Sequence, residues 1–184
     1  MHAASKAVNG AIVQNCIIME YASVNARARV ENSVIGPDAH ISSGECHHSL
    51  VGPSIGFNHQ SLLISTIWPF GRGNLGYGSM IGANHTGRLP DQESIIGEGC
   101  FFGLGVRVKF PLNLRYSPYS MISTDLLPQK VTMPYSLLCV AMDIPPRDIL
   151  VVSPAINQIK PGWVLYSNPY MVARSNMKYE KRCK

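Results

Sequence analysis

The residues best suited to chemistry are two Asn-His steps in matching contexts, Ile55-Gly56-Phe57-Asn58-His59 and Ile81-Gly82-Ala83-Asn84-His85. A neutral imidazole, whose pKa lies near operating pH, is suited to take a proton from a reacting hydroxyl or amine. His85 is followed by Thr86-Gly87-Arg88 and then by Asp91 and Glu93. Either carboxylate is close enough in sequence to orient the ring. Arg88 with Arg72 offers paired N–H donors for a phosphate or carboxylate. The catalytic candidates are therefore His85, His59, Asp91 and Glu93, and the substrate-binding candidates are Asn58, Asn84, Arg72, Asn74 and Arg88.

Two further motifs carry weaker signals. The run Gly71-Arg72-Gly73-Asn74-Leu75-Gly76-Tyr77-Gly78 would let backbone amides approach an anion, but it lacks the Lys-Ser/Thr end of a nucleotide-binding loop and no helical pattern follows it. A flexible excursion is the simpler reading of that run. Trp68, Phe70 and Tyr77 suit a cap or a subunit contact as well as a ligand. Cys16, Cys46, Cys100, Cys139 and Cys183 are odd in number and widely spaced, which predicts reduced and mostly buried thiols.

The elements that must position these residues follow from a repeat. Ile12, Ile18, Val24 and Val30 recur at an interval of six, and Ile35 and Ile41 continue after a one-residue slip. Two places before each stands a small residue: Gly10, Cys16, Ala22, Ala28, Ser33 and Ala39. The coupling returns at Ser79/Ile81 and Ser94/Ile96. A helix would show a period of 3.6 and a half-buried strand a period of two. A period of six predicts a parallel β-helix whose turns of about 18 residues stack at the interstrand spacing. Gly after the aliphatic residue, as in Ile35-Gly36 and Val51-Gly52, suits the corners through its tolerance of unusual backbone angles. If the Asn-His steps stack one turn apart, the asparagines also suit a structural ladder of amides, so stabilisation stands beside catalysis as a reading.

The hexapeptide repeats resemble the trimeric LpxA-like left-handed β-helix superfamily. The segments 56–64, 71–78, 82–93, 101–105 and 153–157 are similar to a bacterial hexapeptide-repeat family of unknown function. The resemblance implies an all-β fold: a left-handed parallel β-helix over 8–106, about five turns with an inserted loop near 66–78, followed by a Pro-rich extension and cap over 107–184. It also implies a homotrimer. In acyltransferases of that superfamily a His on the outer wall takes the acceptor's proton, which points to His85, to acyl-CoA as donor, and to a sugar, a nucleotide-sugar or another small acceptor. The competing class is a non-catalytic structural or regulatory module of a larger protein. A third reading, a shared zinc site as in related carbonic anhydrases, would draw on His47, His48, His59 and His85, but the ligand spacing of those enzymes is not reproduced and no metal residues are assigned.

Composition bounds these choices. Only 15% of the 184 residues are charged, against about a quarter in an average domain, and the net charge is +5. Most of that charge falls in the last eleven residues, where Arg174, Lys178, Lys181, Arg182 and Lys184 face only Glu180. The body is nearly neutral, a poor footprint for nucleic acid. No apolar run reaches the length of a membrane span and the start lacks a secretory pattern, so a cytosolic location is expected. After Gly105 the hexad rhythm fades. Val131–Ala141 and Ile149–Ser153 read as strands around a turn at 145–148, Ser153–Asn157 as the start of a short helix, and Asn168-Pro169 as the start of a closing helix.

Overall fold

A computed structural model describes residues 1–82, 94–108, 112–125, 130–140 and 157–182. The chain is mostly β, a parallel β-solenoid of about seven turns with two short C-terminal helices. The first three strands, β1 (Lys6–Ala7), β2 (Ile12–Gln14) and β3 (Ile17–Ile18), each found a separate sheet, and the chain returns to the first sheet at β4 (Ser23–Asn25). Sheet A continues through β7 (His40–Ser42), β10 (Gly56–Asn58), β13 (Asn74–Leu75), β16 (Phe101–Phe102), β18 (Met121–Ile122) and β19 (Leu137–Val140). Sheet B stacks β2, β5 (Arg29–Glu31), β8 (Glu45–His47), β11 (Leu62–Ile64), β14 (Met80–Ile81) and β17 (Arg107–Val108). Sheet C stacks β3, β6 (Val34–Ile35), β9 (Leu50–Val51), β12 (Thr66–Trp68) and β15 (Ser94–Ile95).

The small-x-aliphatic pairing is the physical origin of this winding. Ile18, Val24, Val30, Ile35 and Ile41 are fully buried in the prism, as are Ala22, Ala28 and Ala39 at its inner corners. Ile12 departs from the pattern. It is 47% exposed, and Val13 packs inward instead, registered on Val30. The turns average about 17 residues, so the six-residue interval is an approximation that slips by one where a side of the coil is shorter. The glycines after the aliphatic residues serve close approach more than unusual backbone angles. A Cβ on Gly36 would lie 2.6 Å from the Gly52 carbonyl carbon, and one on Gly52 would lie 2.4 Å from the Trp68 oxygen.

Residues 66–78 contain β12 and β13 and belong to the stack. The additional length falls between Thr66 and Ser94, which are register partners 28 residues apart. Trp68 is fully buried against Phe102, their rings edge to face at 5.9 Å, and its indole N–H donates to the Gly97 carbonyl at 2.9 Å. Parallel stacking also runs beyond residue 107, through β18 and β19.

The end of sheet A is closed by β20 (Asn157–Lys160), which pairs antiparallel with β19. The sequence predicts a short helix starting over Ser153–Asn157, whereas the described residues from Asn157 onward form a strand. The exposed backbone edge of the last parallel strand is satisfied by a strand in its place. Helices α1 (Trp163–Ser167) and α2 (Pro169–Arg182) follow, the second starting at the expected proline. The strand expected at 149–153 and the turn at 145–148 lie outside the described residues.

Candidate functional site

The solenoid has three outer faces of different chemistry. On sheet B, Arg29 Nε donates to Glu31 Oε1 at 2.7 Å, and His47 lies 3.4 Å from Glu31 and 3.2 Å from Glu45. The Arg29 guanidinium, with a smaller contribution from His47, holds the Glu31 carboxyl below its ordinary range. On sheet C the outward column reads Ile17, Val34, Leu50, Ile67 and Ile95, with Ile17, Leu50 and Ile67 exposed. On sheet A the column reads Ser23, His40, Gly56, Asn74, Phe101 and Met121.

Sheet A carries the groove. Gly56 leaves a gap in the column between His40 and Asn74, and α2 runs along the far side, enclosing about 390 Å³. His40, Ser54, Arg72 and Asn74 face it from the solenoid, and Tyr170 and Arg174 from α2. The groove therefore sets cations and neutral hydrogen-bonding groups beside the apolar Phe101, Met121 and Met171, on a floor opened by glycine.

One wall is built by a recurring corner. Pro37-Asp38, Pro53-Ser54, Pro118-Tyr119 and Pro134-Tyr135 each place a proline before a residue with φ between +54° and +58°, the pattern of a type II turn. Backbone N–H groups link successive corners, as in Ser54 to the Pro37 carbonyl at 2.9 Å and Arg72 to the Pro53 carbonyl at 2.8 Å. Stacked corners bring distant residues together. Arg72 Nη2 lies 3.0 Å from Glu98 Oε1, Arg72 Nη1 donates to Tyr119 Oη at 3.4 Å, and the Tyr119 hydroxyl donates to Glu98 Oε1 at 3.0 Å. Burial, reinforced by the Glu98 carboxylate, pushes the Tyr119 phenol up to about 12. Tyr119 stacks on Tyr135 at 5.6 Å, and the Tyr135 carbonyl accepts the N–H of the buried Val164 in α1. Asn168 Nδ2 donates to Met121 Sδ at 3.3 Å and fixes the start of α2 beside the sheet.

His40 lines the same groove beside the Pro37-Asp38 and Pro53-Ser54 corners. Its Nδ1 lies 2.8 Å from Ser23 Oγ and its Nε2 3.4 Å from Asp38 Oδ1, while Ser54 Oγ donates to Asp38 Oδ2 at 3.2 Å. Register makes this arrangement, because Ser23 and His40 are direct partners on adjacent parallel strands and Asp38 is the corner residue two places earlier.

Arg72 and Asn74 are thus brought together in the groove. Asn58 is on the same sheet but further along its strand, and its carbonyl accepts the Ser61 hydroxyl at 3.0 Å. His59 stands at the following corner with φ +67° and outside the groove lining. The expected stacking of the two Asn-His steps does not match the register, since Ile81 pairs with Leu63 on sheet B and not with Ile55. Asn84, His85, Arg88, Asp91 and Glu93 lie outside the described residues. Amide ladders do occur elsewhere: Asn15 donates to Asn32 at 3.3 Å, Asn32 meets His48 Nε2 at 3.2 Å, and Asn9 donates to Asn25 at 2.7 Å. His47 and His48 point to different partners, and among the described residues no group of three or more His, Cys, Asp or Glu side chains is placed to hold a metal ion. No described helix is long and apolar enough to cross a membrane.

His40, Asp38, Ser23, Glu98 and Tyr119 were missed in the sequence because each becomes informative only through its neighbour one turn away. The available signal was the corner proline: Pro118-Tyr119 and Pro134-Tyr135 repeat at the same spacing as Pro37-Asp38 and Pro53-Ser54. The fold and groove together define a β-solenoid with a cleft of mixed polar and apolar lining between one sheet and a C-terminal helix. The chain matches no known protein-family description and no curated protein sequence.

Proposed function

We propose that the protein transfers an acyl group from a thioester carrier of the acyl-CoA type to a hydroxyl or amine of a small polar acceptor, such as a sugar or nucleotide-sugar. The acceptor binds in the groove between sheet A and α2, and His40 takes its proton. The observation that carries this reading is the environment of His40: an imidazole on a groove wall, with a carboxylate at one nitrogen and a hydroxyl at the other. A carboxylate at Nε2 favours the tautomer whose Nδ1 lone pair can accept a proton. Arg174 and Asn74 supply donors for an anionic or hydroxyl-rich acceptor. The resemblance of the repeats to the hexapeptide superfamily supports the same chemistry, and His85 with Asp91 and Glu93 is the alternative base in this proposal. A cytosolic location belongs to it as well, in keeping with free Cys16, Cys46, Cys100 and Cys139.

Assembly into a homotrimer through sheet C forms part of the proposal, supported by the apolar column Ile17, Leu50 and Ile67. The same column favours a second reading, a scaffold that joins subunits without catalysis. Thermal-shift screening against acyl-CoA and nucleotide-sugar panels separates the two readings. A groove ligand raises the melting temperature of the wild type and raises that of Arg174→Ala less. If no compound in either panel shifts the wild type, the scaffold reading is favoured.

A further inference from the structure

The geometry points to Ser23 as a nucleophile that carries the acyl group covalently, so that transfer proceeds through an acyl-serine intermediate. This inference deepens the acyltransferase reading and rests on it for the choice of donor. Ser23, His40 and Asp38 form a hydroxyl–imidazole–carboxylate relay, with distances of 2.8 Å from Ser23 Oγ to His40 Nδ1 and 3.4 Å from His40 Nε2 to Asp38 Oδ1. Nucleophile, base and orienting group are the three parts that activate a serine, and they are recognised by geometry and not by order in the chain. Ser54, bonded to the second Asp38 oxygen at 3.2 Å, positions the carboxylate. Three consecutive turns of the solenoid supply the set: Ser23 from one, Asp38 and His40 from the next, Ser54 from the third.

The side chains are held from beneath. Ser23 and His40 are register partners, and Val24 and Ile41 beside them are fully buried and anchor both strands. Half of the His40 side chain is accessible, and His40 also lines the groove. His40 and Ser54 therefore meet the groove, and Ser23 stands beside its lining, one strand beyond His40.

The chemistry balances within these groups. Ser23 Oγ bonds to the thioester carbonyl carbon while its proton passes to His40 Nδ1. The tetrahedral adduct collapses, the C–S bond breaks, and His40 returns the proton to the leaving thiolate. An acceptor hydroxyl in the groove then attacks the serine ester and gives its proton to His40. The C–O bond to Ser23 breaks and Ser23 recovers the proton.

The test uses the full chain with p-nitrophenyl acetate and acetyl-CoA as acyl donors, acid quenching, and mass spectrometry of the intact protein and its peptides. Thermal melting of Ser23→Ala and His40→Gln confirms that both variants fold. The inference expects one acetyl group on Ser23 of the wild type and none on that peptide in either variant. An unmodified wild type, or acetyl found only on lysines, overturns it. Transfer to an acceptor separates the two proposals. If Ser23→Ala transfers as fast as wild type while His40→Gln is slow, the covalent route falls and direct transfer stands. If acetyl-Ser23 forms but only water discharges it, the nucleophile stands and the transferase reading falls.

Discussion

At the residue scale, solenoid burial sets which side chains are chemically available. Cys46 and Cys100 lie in the prism interior, and burial pushes both thiols up to about 12. The thiolate is the reactive form, so both are inert in the folded protein. Cys16 is only partly buried. Alkylation under native conditions, followed by peptide mapping, should modify Cys16 well before Cys46 or Cys100, and the two core cysteines should react on unfolding. The raised groups also set the alkaline limit. Between pH 9 and 12 the unfolded chain releases protons from these thiols, and above about 10 from Tyr119, while the fold retains them. The unfolded state then binds fewer protons, so stability falls as pH rises through that window. Melting temperature measured against pH should decline there, and a flat profile would show that these groups are not held protonated by the fold.

At the scale of elements, each strand is only two to four residues long and owes its stability to stacking. The sheet C to sheet A corner at Trp68 and Gly73 shows how tightly this constrains sequence. A Cβ on Gly73 would lie 1.9 Å from the Trp68 ring and 2.5 Å from the Cys100 carbonyl oxygen. Gly73→Ala should therefore destabilise by about 1–3 kcal/mol or more through overpacking. Trp68→Ala should cost about 3–5 kcal/mol. Denaturant melts of the two variants check both values. The small-x-aliphatic repeat made the parallel stack and its interior columns readable from the sequence through Ile41. It did not reveal the groove, which depends on which outward residues become partners across a turn of variable length. A one-residue slip moves Val13 in and Ile12 out, and turns of unequal length separate Ile81 from Ile55. The closing strand β20 was unreadable for a related reason, because its pairing with β19 is decided by an unsatisfied sheet edge and not by its own composition.

At the scale of the whole molecule, the three faces divide the labour. Sheet B is laced with ion pairs, sheet A passes from polar Ser23, His40 and Asn74 to apolar Phe101 and Met121 and is partly covered by α2, and sheet C presents an apolar column. The low charge content of the chain follows from this division, since most of its residues form stacked coils. If subunits meet through sheet C, Leu50→Lys should reduce the molecular mass measured by sedimentation equilibrium from three chains to one. An unchanged mass would place any assembly on another face. The basic C-terminal segment lies in α2 as far as Arg182, and Arg174 from it reaches the groove.

The central claim is that His40 in the sheet A groove is the base for acyl transfer. It is tested most directly by the rate of thiol release from acetyl-CoA in the presence of an acceptor found by the thermal-shift screen, comparing wild type with His40→Gln. Loss of a general base predicts a rate lower by about 10²–10⁴-fold at unchanged folding. Equal rates in the two proteins would contradict the claim.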